Sequence, residues 1–340
     1  MRIAVCYNQT PEYSVHGESR DRIADNGSHD QAKAVVKALQ QLGHEPELIP
    51  LADKLMDFLR RLERFSPDLA FNLCEGFWGN ARLEMNVAGM FELLRIPFSG
   101  SPPLCLGLTQ DKLRTKSLLI QQGLPTPPFC LAELGNERPD TTGMNYPLIV
   151  KPPYEDASQG IETASVIDTL LQLRQRVRYI HEAYRQPALI EEFIEGRELN
   201  VAILGSKDLT VLPAAEITFA SSLSRKIVCF DSKWSPQSSA YKGTIPVCPA
   251  KLTEAETQLV SKVSLLAFKL FGCRDYARID IRLRNQTPYI LEVNANPDIS
   301  TDAGLARAAG AAGLAYAQLI EQILEGVSKR KERPHAQTAI

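Results

Sequence analysis

Asp280, Glu292 and Asn294 interrupt two otherwise apolar runs in the stretch ARIDIRLRNQTPYILEVNANPDIS, residues 277–300. Strand side chains alternate faces, so Arg278, Asp280 and Arg282 share one side of a strand and Ile279, Ile281 and Leu283 the other. In the following run Glu292 and Asn294 share a face, while Leu291 and Val293 point away. The polar Arg-Asn-Gln-Thr connection makes the runs a hairpin. Pairing them gathers two carboxylates and an amide on one side of the sheet. Like charges so placed repel unless a cation intervenes, and oxygen ligands with few carboxylates suit Mg²⁺, which takes further ligands from substrate phosphates. The alternative is an edge hairpin whose acids are solvated or paired with Arg278 and Arg282.

The sequence has no GxxxxGK[ST] loop, no GxGxxG after a strand and no HExxH motif. A nucleotide would have to be held by dispersed lysines and acids. The candidates are Lys112 in TQDKLRTK, Lys151 in YPLIVKPPYEDASQG, Lys233 in FDSKW, and Glu191 and Glu198 in LIEEFIEGRELNV. Lys151 ends an apolar strand ahead of a Pro-Pro turn and the small loop DASQG, whose backbone N–H groups can meet phosphate oxygens.

These residues need a scaffold. Strands are expected at Arg2–Tyr7, Glu47–Pro50, Asp68–Leu73 and Ile96–Gly100. Helices at Asp30–Leu42, Lys54–Phe65 and Leu83–Leu94 alternate with them, the pattern of a parallel sheet covered on both faces. A helix over Gln110–Gln122 leads to a small α+β region with strands Pro147–Lys151, Ala188–Glu192, Leu199–Gly205 and Thr210–Ile217 around a helix, Ile167–Tyr184. A capping box at Thr253 and Glu256 opens a helix running to Phe271. Helical sequence returns from about 302 to 325, and the last residues are expected to fray.

The chain has 340 residues, 44% hydrophobic, with 38 Lys+Arg against 40 Asp+Glu. That length supports two or three domains. The near-neutral charge gives no field to recruit nucleic acid or an anionic membrane, and no apolar run is long enough to cross a bilayer. The first residues lack the charged and apolar regions of a signal peptide. Seven scattered cysteines form no CxxC pair, so a reduced, cytoplasmic protein is expected.

Taken in order, GLTQDKLRTK, LIVKPPYEDASQGI, LIEEFIEGRELNVAILG, the isolated Lys233, YARIDIRL and YILEVNANPDIS resemble the ATP-grasp superfamily, and within it the D-alanine–D-alanine ligases. The resemblance spans about residues 1–328. It implies an N-terminal parallel-sheet domain (1–108), a small central α+β subdomain (109–200) and a C-terminal α+β catalytic subdomain (201–328). ATP would lie between two antiparallel sheets, and residues 329–340 would form a flexible tail. It also implies a ligase that joins a carboxylate to an amine through an acyl phosphate, forming a dipeptide-like amide and releasing ADP.

By resemblance, Lys112, Lys151 and Ser158 would contact the nucleotide, Lys151 reaching both phosphate and adenine. Glu191, Glu192 and Ile194 would meet adenine and Glu198 the ribose, with Lys233 on the γ-phosphate. Asp280, Glu292 and Asn294 would hold two Mg²⁺, or Mn²⁺ in their place, and Arg278 would stabilise the tetrahedral intermediate. A homodimer acting on small amino-acid-type substrates is implied as well.

The chain departs from the family at its substrate ends. NLCEGFWGNARLE replaces the usual His-Gly and Gly-Glu-Asp-Gly run, leaving Glu84 or Glu75 as the candidate acid for a substrate ammonium. Glu12, after the first strand, is a candidate for the donor amine, and Trp234 is a candidate substrate contact in the lid segment. After Asn296-Pro297 the family continues Gly-Met and then a Ser for the acceptor carboxylate. Here Asp298-Ile299 and STDAGL follow, so Ser300 and Thr301 are the hydroxyl candidates, and Asp298 and Asp302 would repel a carboxylate or attract an ammonium. A changed amino-acid substrate is therefore expected. The alternatives are a true D-alanine–D-alanine ligase and a non-catalytic ATP-binding homologue.

Overall fold

The computed structural model describes residues 1–9, 17–21 and 27–331. Its first sheet is parallel, in the order β2 (Glu45–Leu51), β1 (Arg2–Asn8), β3 (Leu69–Leu73). Alternate residues of β1 enter two different cores: Ala4 and Cys6 on one face, Ile3, Val5 and Tyr7 on the other. The flanking helices are α1 (Gly27–Gln41), α2 (Leu55–Phe65) and α3 (Glu84–Leu93). The expected strand at 96–100 reduces to one parallel bridge, Ala70 to Phe98.

The helix expected over 110–122 is α5 (Lys112–Gln121), and a further helix not expected from the sequence, α4 (Pro103–Gln110), precedes it. Asp111 separates them because its backbone is extended and its carboxylate accepts the Arg114 N–H, capping α5. This break aims Lys112 at the centre of the molecule.

A four-stranded antiparallel sheet follows, in the order β4 (Phe129–Ala132), β7 (Ala188–Glu192), β5 (Leu148–Lys151), β6 (Val166–Ile167). It packs on α6 (Leu170–Tyr184) around its own core of Val150, Leu173, Val177 and Ile180. The helix starts at Leu170, three residues later than expected, because Thr169 and Gln172 form a capping box.

The third sheet runs β11 (Thr244–Val247), β10 (Ala215–Phe219), β8 (Arg197–Leu204), β12 (Tyr276–Arg284), β13 (Thr287–Asn294), with β9 (Thr210–Val211) beside β8. The strand expected over 210–217 divides around Pro213, which has no N–H for a ladder. Short helices α7 (Phe230–Trp234) and α8 (Ser239–Lys242) lie in the β10–β11 connection, and α9 (Glu254–Phe271) covers the sheet. The C-terminal helical stretch is α10 (Gly304–Ala311) and α11 (Tyr316–Lys331), divided at the left-handed Gly313. The two cores of the parallel sheet extend into this third sheet through Ile203, Ile279, Leu204 and Tyr276.

Candidate active site

A cavity of about 670 Å³ opens where the three sheets face one another. The β12–β13 hairpin supplies one wall. Asp280 is paired directly with Glu292 across the ladder, and Arg278 with Asn294. Asp280 accepts hydrogen bonds from Arg278 Nε at 2.7 Å and Nη2 at 2.9 Å, from Asn200 Nδ2 at 2.7 Å and from Asn294 Nδ2 at 3.1 Å. Burial disfavours the Arg278 charge, but Asp280 outweighs it and raises the guanidinium above its ordinary value.

Glu292 meets the Lys112 ammonium at 3.0 Å, and the same ammonium reaches Asp156 at 3.1 Å and donates to the Glu155 carbonyl at 2.6 Å. Burial alone would raise the Glu292 carboxyl; Lys112, Lys151 and Lys233 instead hold it down at about 2. So Glu292 carries its negative charge, and cations from three other elements face it.

Lys151, at the end of β5, binds Glu191 at 2.7 Å. The second Glu191 oxygen is taken by Lys116 at 3.1 Å, whose ammonium also donates to Thr126 at 3.0 Å. Burial works to raise Glu191, yet Lys116 and Lys151 keep it below the usual glutamate value. Lys116 is a member of this site that the sequence reading left unassigned. It lies four residues after Lys112 on α5, hence on the same face, and that spacing was the available signal. Glu192 accepts the Asn145 N–H at 2.8 Å, and Ile194 is buried on the cavity wall.

Glu198 and Arg282 are opposite each other on β8 and β12 and bond at 2.5 Å. Arg282 and Asn200 are further site residues that the motifs did not single out. Lys233, on α7, is exposed within the cavity and has no hydrogen-bond or ion-pair partner among the described residues. Desolvation in the cleft, then Arg278, holds its ammonium below the ordinary lysine value.

Two loops roof the cavity and hold each other. The Trp234 indole donates to the Ala157 carbonyl at 3.0 Å, and Ser158 Oγ donates to the Val228 carbonyl at 3.2 Å. Ala157 and Ser158 both have left-handed backbones, at φ 52° and 62°. Such strain persists only where surroundings hold it. Here the loop from 221 to 242 does so.

At the far end, Glu84 is 8% exposed and accepts Asn296 Nδ2 at 3.2 Å. Burial, then Asp156 and Glu75, raise its carboxyl well above the ordinary value. Ser300 donates its hydroxyl to Asp298 at 2.6 Å and its N–H to the same oxygen at 2.7 Å. Its hydroxyl is therefore committed locally rather than offered to a substrate. Thr301 is exposed and lies outside the cavity lining, whereas Asp298 and Trp234 line it. Glu12 lies outside the described residues.

Among the described residues no three His, Cys, Asp or Glu side chains cluster as a metal site. The hairpin offers two opposed carboxylates and an amide, a donor set that suits a Mg²⁺ sharing its other ligands with phosphates and water.

An elongated cleft between two antiparallel sheets, lined by buried lysines and closed by a paired acid hairpin, defines an ATP-grasp protein. The family model for the D-ala D-ala ligase C-terminus matches residues 118–325. The D-alanine–D-alanine ligase of Methylacidiphilum infernorum is 33% identical over 296 residues, 86% of this chain and 88% of that one. An uncharacterized protein of Sinorhizobium fredii is 37% identical over 308 residues, 88% of each chain. The crystal structure of Bacillus anthracis D-alanine–D-alanine ligase complexed with ATP superposes with a TM-score of 0.75. It covers 98% of this chain and 99% of that one at 24% identity, a likeness of fold. The chain belongs to the D-alanine–D-alanine ligase family, whose members are ATP-dependent, ADP-forming ligases of the ATP-grasp class.

Proposed function

We propose that this protein joins a carboxylate to an amine at the expense of Mg-ATP, making a dipeptide-like amide, and that its amino-acid substrate is not D-alanine. A substrate carboxylate oxygen displaces ADP from the γ-phosphorus, giving an acyl phosphate. The amine nitrogen then attacks the acyl carbon and loses a proton as inorganic phosphate leaves.

The chain's part in this is positioning and charge neutralisation, which dominate phosphoryl transfer. Lys112, Lys151 and the loop at Ser158 take the phosphates, and Lys233, which has no hydrogen-bond or ion-pair partner among the described residues, takes the γ-phosphate. Glu191, Glu192 and Ile194 receive adenine, and Glu198, oriented by Arg282, receives the ribose. Asp280, Glu292 and Asn294 would hold two Mg²⁺, or Mn²⁺ in their place, which would supply neutralisation of phosphate charge. Arg278 stabilises the oxyanion of the tetrahedral intermediate. The latched loops at 157–158 and 228–234 exclude water, which would otherwise hydrolyse the acyl phosphate.

The observation that carries the substrate change is the Ser300–Asp298 bond, which spends the loop's hydroxyl on an acid and leaves a carboxylate in the cavity wall. An acceptor carboxylate placed there would meet like charge. All seven cysteines are free, which supports a reducing, cytoplasmic setting, and among the described residues no helix is long and apolar enough to cross a membrane. A homodimer is expected from the family and is checked by light scattering.

The test is Mg-ATP-dependent phosphate release with D-alanine and then a panel of D- and L-amino acids, with products read by mass. Turnover with D-alanine alone would make the protein a D-alanine–D-alanine ligase. Turnover with another pair supports the reading, and Asp298→Gly should then shift acceptor preference more than ATP KM.

A further inference from the structure

Four acids lining the cavity are paired with cations: Asp280 with Arg278, Glu292 with Lys112, Glu191 with Lys116 and Lys151, and Glu198 with Arg282. Other lining acids have none: Glu192 and Asp298 are bonded to neutral groups, and so are three acids at the other end. Asp21, Glu84 and Glu155 form no ion pair, and their hydrogen-bond partners are neutral. Glu84 has the Asn296 amide at 3.2 Å, and Glu155 has the Gln186 amide. Asp21 Oδ2 accepts the Tyr184 hydroxyl and the Glu18 N–H, each at 2.9 Å.

Asp21 is 4% exposed, lines the cavity, and its other oxygen, Oδ1, is buried with no hydrogen-bond partner. A buried carboxylate oxygen without a donor forfeits its hydration for nothing in return, which a ligand donor would restore. Asp156 stands between these acids and already spends its charge on Lys112.

Two of the three acids also feel like charges nearby: Asp156 and Asp21 act on Glu155, and Asp156 and Glu75 on Glu84. Burial raises each of the three carboxyls first; acidic neighbours raise Glu84 and Glu155 further, Glu155 to about 7, whereas the Glu18 N–H and the Tyr184 hydroxyl offset part of the rise at Asp21. A single α-ammonium has one charge and three N–H donors. It satisfies one such acid, or two at the edges, and leaves the rest of the cluster uncompensated.

Resting on the ligase reading, we propose that one of the joined molecules carries a second ammonium, as in a diamino acid or a diamine, and that Asp21, Glu84 and Glu155 are the acids that select it. The chemistry required is two cationic nitrogens on one flexible chain. The substrate end then reads charge, in contrast to the small neutral side chain of alanine.

Matched pairs that differ only in the terminal nitrogen test this: lysine against norleucine, ornithine against norvaline, and 1,4-diaminobutane against butylamine. Initial rates of ADP release are measured with Mg-ATP and a common second amino acid. The basic member of a pair is expected to exceed its neutral partner by about tenfold or more in kcat/KM, the worth of one charge-assisted hydrogen bond. Glu84→Gln and Asp21→Asn should each reduce that ratio by about tenfold, and Glu84→Asp should restore part of the loss that Glu84→Gln causes. The diamine and the diamino acids separate a free amine from an amino-acid substrate.

Equal rates for lysine and norleucine, or preference for neutral members throughout, overturn the proposal. Binding of the same pairs to protein holding Mg²⁺ and a non-hydrolysable ATP analogue, by calorimetry, keeps the two readings apart. Preference for the basic member without turnover sinks the ligase reading and keeps this one. Turnover without preference does the reverse, and absence of any preference in binding overturns the selection of a second ammonium.

Discussion

Lys112 and Glu292 bring opposite charges into the middle of the cavity from α5 and β13, 3.0 Å apart. Glu292→Gln removes the charge that both Lys112 and a bound Mg²⁺ would use. Turnover should fall by at least about a hundredfold, with wild-type rates as the outcome that removes this hairpin from metal duty. Glu155 gives a stability test at the same scale. Its folded value of about 7 lies above its ordinary 4.5, so between those limits the folded state holds more protons than the unfolded one. Stability from this group is therefore complete below 4.5 and is lost as pH rises through 7. Urea unfolding should show Glu155→Gln gaining on wild type by on the order of 2 kcal/mol between pH 5 and pH 8. At this scale the hairpin trio was legible, because strand alternation alone puts Asp280, Glu292 and Asn294 on one side. The fate of the Ser300 hydroxyl was not, since a bond to Asp298 two residues away depends on a local turn that alternation does not encode.

Among the elements, the β12–β13 hairpin closes through Asn285 and Gln286, both left-handed at φ 48° and 63°. That is the backbone of a two-residue turn in which Gly is favoured at the second position. Gln286→Gly should raise stability by about 0.5–1 kcal/mol in chemical denaturation, without changing ligand affinity. A loss of stability would mean the Gln side chain contributes more than its backbone costs. The sequence marked this hairpin, the capping box of α9 and the parallel βα alternation, all from periodic patterns. It missed α4 and merged β9 with β10. The boundaries hang on single residues, Asp111 capping α5 and Pro213 withholding a donor, which an apolar period does not mark.

At the scale of the molecule, α11 ties the ends of the chain to its centre. Arg330 binds both oxygens of Asp275, with Nη2 at 2.8 Å from Oδ2, and donates to the Phe98 carbonyl at 3.0 Å. Asp275 is 2% exposed, immediately precedes β12, and also accepts the Gly100 N–H at 2.9 Å. Arg330→Ala should therefore cost about 2 kcal/mol, because it strands much of a buried charge; thermal unfolding with an unchanged melting temperature would refute that anchoring. Helix α11 runs through Lys331, beyond the stretch that periodicity suggested. The three-body plan followed from six ordered motifs rather than from periodicity. The uncompensated acids at the far end come from segments widely separated in the chain, and nothing in their spacing brings them together.

The two ends of the cavity differ in how a gene could alter them. Arg278, Asp280, Glu292 and Asn294 hang on one two-residue turn. A single codon inserted there would shift the pairing and send Glu292 and Asn294 to the opposite face together. The hairpin is thus inherited whole or lost whole. Asp21, Glu84 and Glu155 belong to separate segments, and each can be exchanged by one codon while the others keep their places. Descent with this architecture lets the substrate wander stepwise while any failure of the chemistry is abrupt.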